Sequence, residues 1–520
     1  LDGVTGVQTC ALPISLVSGS FYDVVVMGME PGPLAAGALL ARRGFRVLVT
    51  GQGASRDDYT CWDYRFCRRP FLLTGAGSPA ISRVMEELGA TRAFSNLLED
   101  PPLRYQVILP DARVDICAEP SLTRGHMERE IPSTRGQVDD VLRGIGRLSA
   151  DFEKLAGGDL VIPPESFFEQ RAFSRALVQN PFMGDPRADV FERLAVDGNL
   201  RRVLEAPVLF DTASPRVAPL VASRQMGAWL FDCRPLKGGK DGLRRLLLER
   251  IGGHGGDVQD QQRVSGILVD RGKVRGVRLA GREHATGTRI VLSSLLPAEL
   301  GAMVEPGEWT PRFRERVSTP VPIRRGYAVN LGIRAPAVPE AMGKTVFLRD
   351  ADGSGEHLIR VEQTAREDGK VSLNASCLVE TVDEHRIASG SLRDAILDRL
   401  RAVMPYLDSH LEVLHSPFDA FGPVDLTGAR SGRPDAPPPF HPDDVPVWRL
   451  VPPSFRGELG MENLTHRTGI KGLLLCGDQV VSGLGAEGEF IAAWGAAEIA
   501  GRMDPSRQKV VRAMRSKADA

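Results

Sequence analysis

The chain has 520 residues and a formal net charge of −1, a near-neutral balance that excludes a dedicated polyanion or nucleic-acid binder. Hydrophobic residues make up 42% and charged residues 25%, as in a globular chain long enough for two domains or one large discontinuous one. No stretch reaches about 18 apolar residues without a charge, which excludes a transmembrane helix, and the seven cysteines include no Cys-x-x-Cys pair, which argues for reduced cytoplasmic thiols and against a disulfide framework or a zinc site.

Residues 1–15 (LDGVTGVQTCALPIS) stand apart. Val4 to Ile14 resemble the translation of a sequencing-library adapter, and the segment fails as a signal peptide because it lacks a positive n-region and a long apolar core. It is expected to be unstructured, with the natural start missing or near Leu16. From Phe21 to Gly53 the pattern changes to a βαβ unit. Val24 to Val26 form an apolar run suited to a strand buried on both faces. A turn at Gly28, an Ala/Leu-rich helix from about Pro31 to Arg43, Gly44 at its C-terminal cap and a strand from Phe45 to Val49 follow. A parallel pair of this kind places the helix N-terminus where a dinucleotide pyrophosphate binds.

The turn departs from the G-x-G-x-x-G fingerprint. Gly28 supplies the first glycine, but Glu30 and Pro33 hold the other two positions, and Gly51 stands where an acidic ribose acceptor belongs. A carboxylate about 5 Å from a phosphate charge costs roughly 3 kcal/mol at an effective dielectric near 20. Pro31 and Pro33 are harmless, since first-turn N–H groups have no intrahelical partner. Two readings stay open here, an altered dinucleotide site and a purely structural βαβ unit.

The aromatic and basic run 56–69 (RDDYTCWDYRFCRR) reads as a loop, with Arg65, Arg68 and Arg69 available to phosphates or simply solvated. Pro79 to Leu88 reads as a helix, and Leu103 to Ile116 as a hairpin about a Pro-Asp turn. Gln137 to Leu155, Phe167 to Leu177 and much of 181–227 show helical spacing, as an apolar core or the wall of a greasy tunnel. From Arg234 a double-glycine turn leads into an amphipathic helix, a hairpin (Val264–Val269, Val274–Leu279) and a buried strand, Ile290 to Ser294. Strands dominate 320–379, which predicts an antiparallel sheet. Ser391 and Asp394 stand at capping-box spacing before a helix to Met404, and 434–446 is a Pro-rich loop. Near the C-terminus, strand Leu473–Cys476 runs into Gly477-Asp478, a glycine turn and an Ala-rich helix from about Glu489. The basic tail 504–520 suits a solvated helix or a peripheral contact with an anionic membrane. The nine histidines are scattered, and His410/His415 make neither a metal pair nor a triad, so no metal site and no catalytic residue is assigned.

The order of these blocks, together with LPDARVDI, the helix ending in MPYL, and HSPFDAF, resembles the phytoene-desaturase-like branch of FAD-dependent oxidoreductases, which share a fold with the amine oxidases. The likeness runs from Phe21 to Met503. It implies an α/β fold in which an FAD/NAD(P)-binding Rossmann-like domain is assembled from 21–100, 236–304 and 467–503. An α+β substrate domain with an antiparallel sheet would come from 101–235 and 305–466. Carried over by position, Gly28, Met29, Glu30, Pro31 and Gly32 would face the FAD pyrophosphate, and Gly51 would lie at the ribose. Val264 would meet the adenine through its backbone, and Gly477 and Asp478 would hold the pyrophosphate and ribityl region. Gly485, Ala486, Glu487 and Gly488 would approach the flavin ring, with Glu487 a second carboxylate aimed at it. The resemblance implies two-electron chemistry on a hydrophobic, polyene- or lipid-like substrate, with FAD held weakly or lost. It also leaves open a flavin-free lipid- or protein-binding module, since the proteins that shield prenylated small GTPases resemble this fold without flavin chemistry.

Overall fold

The computed structural model describes residues 20–53, 57–179, 198–212, 219–321, 323–350, 358–379, 384–418, 421–430, 448–452 and 464–504. The expectations for 1–15, for the Pro-rich stretch 434–446 and for the tail beyond 504 lie outside the described residues.

The N-terminal unit forms as its periodicity predicts. β1 (Phe21–Met27) leads to α1 (Pro31–Arg42) and to β2 (Val47–Thr50), and the two strands run parallel with Val24 opposite Val47. Every residue of α1 from Pro31 to Ala41 is buried, so small residues are needed on all its faces rather than along one stripe. A Cβ at Gly37 would lie 2.8 Å from Cγ2 of Val26, and the helix therefore rests flush on the strand.

A short hairpin replaces the loop expected over 56–69. β3 (Asp58–Cys61) pairs with β4 (Tyr64–Cys67), and Cys61, Tyr64 and Phe66 are buried. The cause is tertiary: a Cβ at Gly332 would meet the Tyr64 ring at 2.6 Å, so the hairpin packs face-on against a sheet far along the chain. Next come β5 (Leu103–Ile108) and β6 (Arg113–Cys117), then α2 (Val138–Ala156), α3 (Pro219–Phe231) and α4 (Gly239–Gly253). β7 (Asp257–Gln259), the hairpin β8 (Val264–Asp270) and β9 (Lys273–Leu279), and β10 (Thr286–Ser293) follow. The later strands are β11 (Arg324–Arg334), β12 (Thr345–Leu348), β13 (Ile359–Glu367), β14 (Lys370–Val379), β15 (Leu411–His415), β16 (Trp448–Leu450) and β17 (Leu473–Leu475), before α5 (Gly485–Arg502).

Two sheets organise these strands. The first has the order β8-β9-β10-β1-β2-β7, and β17 joins β10 in parallel with Leu473 opposite Val291. Strands from three separated stretches thus meet in one sheet. The second runs β15-β11-β14-β13-β12-β5-β6, extended beyond β15 by Val424–Asp425, with β16 also on β11. It is antiparallel except where β12 runs parallel to β5. One face of the first sheet buries α1, α4 and α5, and its other face packs on Phe152 and Leu155 of α2. A third core fills the space between the second sheet and helices including α3. Among the described residues no helix is long and apolar enough to cross a membrane.

Two helix starts differ from expectation. The helix Ser391–Val403 is preceded by Gly390 at φ +78° with no side-chain cap, so Ser391 and Asp394 form no capping box. Helix α5 begins at Gly485, four residues ahead of Glu489. Both starts are set by glycine backbone that enters the left-handed region rather than by a capping side chain.

Candidate functional site

β1 ends at Gly28, whose φ of +105° is open to glycine and costly to other residues. The chain then turns into α1 with Glu30 as its N-terminal flanking residue, but the Glu30 side chain caps nothing on the helix. It reaches instead to the buried Lys240, with Nζ 2.6 Å from Oε2. Lys240 is delivered by the left-handed Gly238-Gly239 turn that opens α4. Burial pushes the Glu30 carboxyl up, yet Lys240, Arg69 and Arg244 outweigh it and hold the group below its ordinary range. The repulsion expected of Glu30 is therefore offset by a cation that arrives from more than two hundred residues away.

Asp57 completes this patch, 3.3 Å from Arg244 and 3.9 Å from Lys240, while Nε of Arg244 donates to the Met29 carbonyl at 3.0 Å. On the opposite side Gly32, at the start of α1, donates its N–H to Oε2 of Glu489 at 2.8 Å. A Cβ on Gly32 would come within 3.2 Å of Gly477 Cα, so the glycine lets α1 and the β17–α5 turn meet. Burial, with Glu30 and Asp478 nearby, pushes the Glu489 carboxyl up to about 8. Burial likewise raises Asp478 to about 6 against the pull of Arg69.

The far end of the site is closed. Gly51 lies against the loop after β7, where any Cβ would fall onto the Asp260 carbonyl oxygen, so an acidic side chain has no room there. Gln52, at φ +54°, turns its carboxamide onto the backbone of Val264: Oε1 accepts the Val264 N–H at 2.5 Å, and Nε2 donates to the Val264 carbonyl at 3.3 Å.

A cavity of about 440 Å³ gathers most of these groups. Gly28, Met29, Glu30, Gly51, Gly477, Asp478, Gly485 and Ala486 line it, together with Gln52, Asp57, Arg69, Lys240, Arg244 and Glu489. Pro31, Gly32, Val264, Glu487 and Gly488 are not on its wall. Glu487 in particular points away from it. Its carboxylate takes Nε and Nη2 of Arg224, each at 2.7 Å, and Arg224 also donates to Ser149 and Glu153 at 2.5 Å. Both side chains of the pair are 2% exposed. Burial opposes the charge on Arg224, but Glu487 and Glu153 raise its pKa. The carboxylate expected beside a flavin ring is instead half of a buried ion pair. Gly488 is a packing position, since a Cβ there would lie 2.5 Å from the Val481 carbonyl.

The cavity continues to the second sheet through Phe71, Leu72, Ile323, Phe418 and Val451, with Arg68, Asp211 and Arg360 on the same wall. Arg360 sits over the rings of Trp229 (5.5 Å) and Phe210 (5.6 Å) and pairs with Glu362. Asp211 accepts from Trp229 Nε1 at 2.8 Å, and burial raises its pKa against the pull of Arg360. Arg68 and Arg69 are placed here by the β3–β4 hairpin. Asn330 donates to Tyr59 Oη and to the Cys67 carbonyl, both at 2.9 Å, Asn374 donates to the same carbonyl at 3.1 Å, and Tyr59 Oη lies 2.8 Å from His415 Nδ1. Burial and Arg68 lower His415 to about 4, so it is a neutral structural partner at neutral pH. Among the described residues no group of metal-binding side chains occurs.

Of the three arginines that the sequence offered to phosphates, Arg68 and Arg69 line the cavity and Arg65 does not, whereas Lys240, Gln52 and Glu489 escaped the motif reading. Lys240 carried a usable signal, a cation directly after a double-glycine turn at a helix start. Gln52 and Glu489 carried none, because their partners are remote in sequence.

No family model matches the chain. A 4,4'-diapophytoene desaturase (4,4'-diapolycopene-forming) of a Methylomonas species is 20% identical over 308 residues, and the match spans about half of each protein, 55% of this chain and 56% of that one. Among solved structures, an oxidoreductase from Methanosarcina mazei has a TM-score of 0.56 at 15% identity and covers 92% of this chain and 100% of its own. Putrescine oxidase bound to putrescine scores 0.54 at 14%, covering 94% and 99%, and cyclohexylamine oxidase from Brevibacterium oxydans scores 0.51 at 14%, covering 93% and 99%. At these identities the structural likeness is one of fold. With its Rossmann-like sheet of three sequence stretches joined to a largely antiparallel one, the chain shares its fold with these oxidoreductases.

Proposed function

We propose that this chain is an FAD-dependent oxidoreductase of the desaturase or dehydrogenase class acting on an apolar, polyene- or lipid-like substrate. The observation that carries the reading is convergence. The Gly28–Glu30 turn that leads into α1, the start of α5 and the buried Lys240 face one cavity that continues to the antiparallel sheet. Helix starts and a buried cation suit a phosphate-bearing cofactor. The kinship with a desaturase and the fold of amine oxidases support the same reaction class.

Lys240, Arg69, the Gly28–Glu30 and Gly477–Asp478 turns and the Gly485–Ala486 helix start line the cavity and suit the pyrophosphate and ring portions of FAD, and the Gly32 N–H becomes available to a phosphate once Glu489 moves off it. They fit the adenosine portion at Val264 once Gln52 turns aside. Bound FAD supplies a two-electron acceptor for a substrate C–H bond. The protein's own part is to neutralise the phosphates, to hold the substrate against Phe71, Phe418 and Val451, and to exclude water with that apolar wall. Arg68, Asp211 and Arg360 on the same wall favour an apolar body with one polar end over a bare hydrocarbon. The setting that goes with this reading is cytoplasmic, with the basic tail 504–520 touching an anionic membrane from which such a substrate is drawn.

The test is reconstitution with FAD followed by anaerobic mixing with a polyene hydrocarbon or a polyene carboxylic acid. Retention of the flavin visible band through gel filtration, and its bleaching by substrate, is the expected result. Loss of all flavin with retained binding of the polyene would favour the second reading, a flavin-free binding module. What favours that alternative is that Gln52 and Glu489 already hold contacts a cofactor would use.

A further inference from the structure

Three polar contacts at the cofactor end of the cavity have the character of a ligand's contacts, yet are made by the chain itself. Gly32 offers an N–H at the open end of α1, where the unpaired amides and the helix dipole favour an anion. Glu489 places a carboxyl oxygen on it at 2.8 Å. Val264 begins β8 with its N–H and its carbonyl both turned to Gln52. The Gln52 carboxamide presents an acceptor and a donor side by side, which is the pattern an adenine edge presents. Gln52 takes this position in a left-handed conformation that side chains adopt only at some cost. The loop carrying it is clamped on both sides, by Gly51 N–H on the Gln259 carbonyl at 3.3 Å and Gln52 N–H on the Gln262 carbonyl at 3.2 Å.

We infer that Gln52 and Glu489 are built-in stand-ins for the adenine edge and a phosphate of a dinucleotide, and that they set how tightly the site takes one. An incoming ligand must displace both, exchanging one satisfied contact for another, so its net gain at each point is small. Glu30, the residue that looks repulsive, is not the determinant, because Lys240 already pairs with it. The inference rests on the dinucleotide reading of the cavity made above, and the experiment separates the two.

The measurement is equilibrium titration of the whole chain with ADP, with FAD and with FMN, by calorimetry and by flavin fluorescence. Gln52→Gly keeps the left-handed backbone and removes the carboxamide. It is expected to tighten ADP and FAD about tenfold and to leave FMN, which has no adenine, unchanged. Glu489→Ala is expected to tighten ADP and FAD by a similar factor, about tenfold, with Glu489→Gln between it and the parent. Thermal unfolding midpoints identify any variant that has lost its fold. ADP and FAD affinities equal to within about twofold in the parent and both variants would overturn the inference. If FAD still binds stoichiometrically in that case, the flavin reading survives without it. If ADP tightens while no flavin binds any form, the stand-in role holds and the flavin reading falls. No ligand bound by any folded form would overturn both.

Discussion

Arg224 and Glu487 offer the sharpest test of how the site's framework is held. The pair is bidentate, with two contacts of 2.7 Å, and each side chain is 2% exposed. It joins α3 to the first turn of α5, the turn that presents Gly485 and Ala486 to the cavity. Removing one partner of a dry pair leaves the other charge buried and costs about 3–5 kcal/mol, whereas removing both leaves only a packing defect. The two single losses are unequal here. In Arg224→Met, Glu487 loses its two guanidinium contacts in a buried position, so the full cost of about 3–5 kcal/mol applies. In Glu487→Met, Arg224 keeps Glu153 and Ser149 at 2.5 Å, and Glu153 is 34% exposed and solvated, so about 2–3 kcal/mol is expected. The double variant should then be more stable than Arg224→Met alone, with a coupling of about 2 kcal/mol or more. Urea unfolding followed by circular dichroism reads all four proteins. An Arg224→Met loss below about 1 kcal/mol, or a double variant equal to the sum of the singles, would refute the buried-pair argument.

Lys240→Met should cost less, about 1–2 kcal/mol, because Glu30 is 43% exposed and water screens the charge left behind; adding Glu30→Gln should recover much of it, and no recovery would count against the pairing. Gly51→Ala should destabilise by about 2 kcal/mol or more, since its methyl falls on the Asp260 carbonyl, and it should not improve FAD binding; a neutral substitution would mean the loop after β7 yields easily. A pH effect follows from Glu489 at about 8 and Asp478 at about 6. The folded state keeps protons that the unfolded chain releases near pH 4, so this stabilisation is present in acid and is lost as pH rises to about 8. Unfolding free energies measured from pH 5 to 9 should therefore fall less steeply in Glu489→Gln, which carries no proton to lose, than in the parent. Parallel curves would place the titration elsewhere.

Much of the framework is written locally. The βαβ unit at 21–50, the hairpin of β8 and β9, and the strand–turn–helix at 473–502 each announce themselves through apolar runs and glycine turns. Those signals depend only on which positions of a strand or helix must be buried, and period reports that directly. Local pattern also identified Gly28 and Gly477, because a positive φ selects glycine wherever it occurs. It misread the hairpin Asp58–Cys67, whose strand character comes from Tyr64 lying on Gly332. The polar chemistry was decided entirely by the tertiary structure. Glu30 looks repulsive until Lys240 is beside it, Glu487 looks like a cofactor contact until Arg224 claims it, and Gln52 has no visible role until Val264 lies opposite. Hydrophobic burial is non-directional and leaves a periodic trace along the chain. A hydrogen bond or ion pair between residues two hundred positions apart leaves none, because its worth depends on a distance and a dielectric that only the folded packing sets.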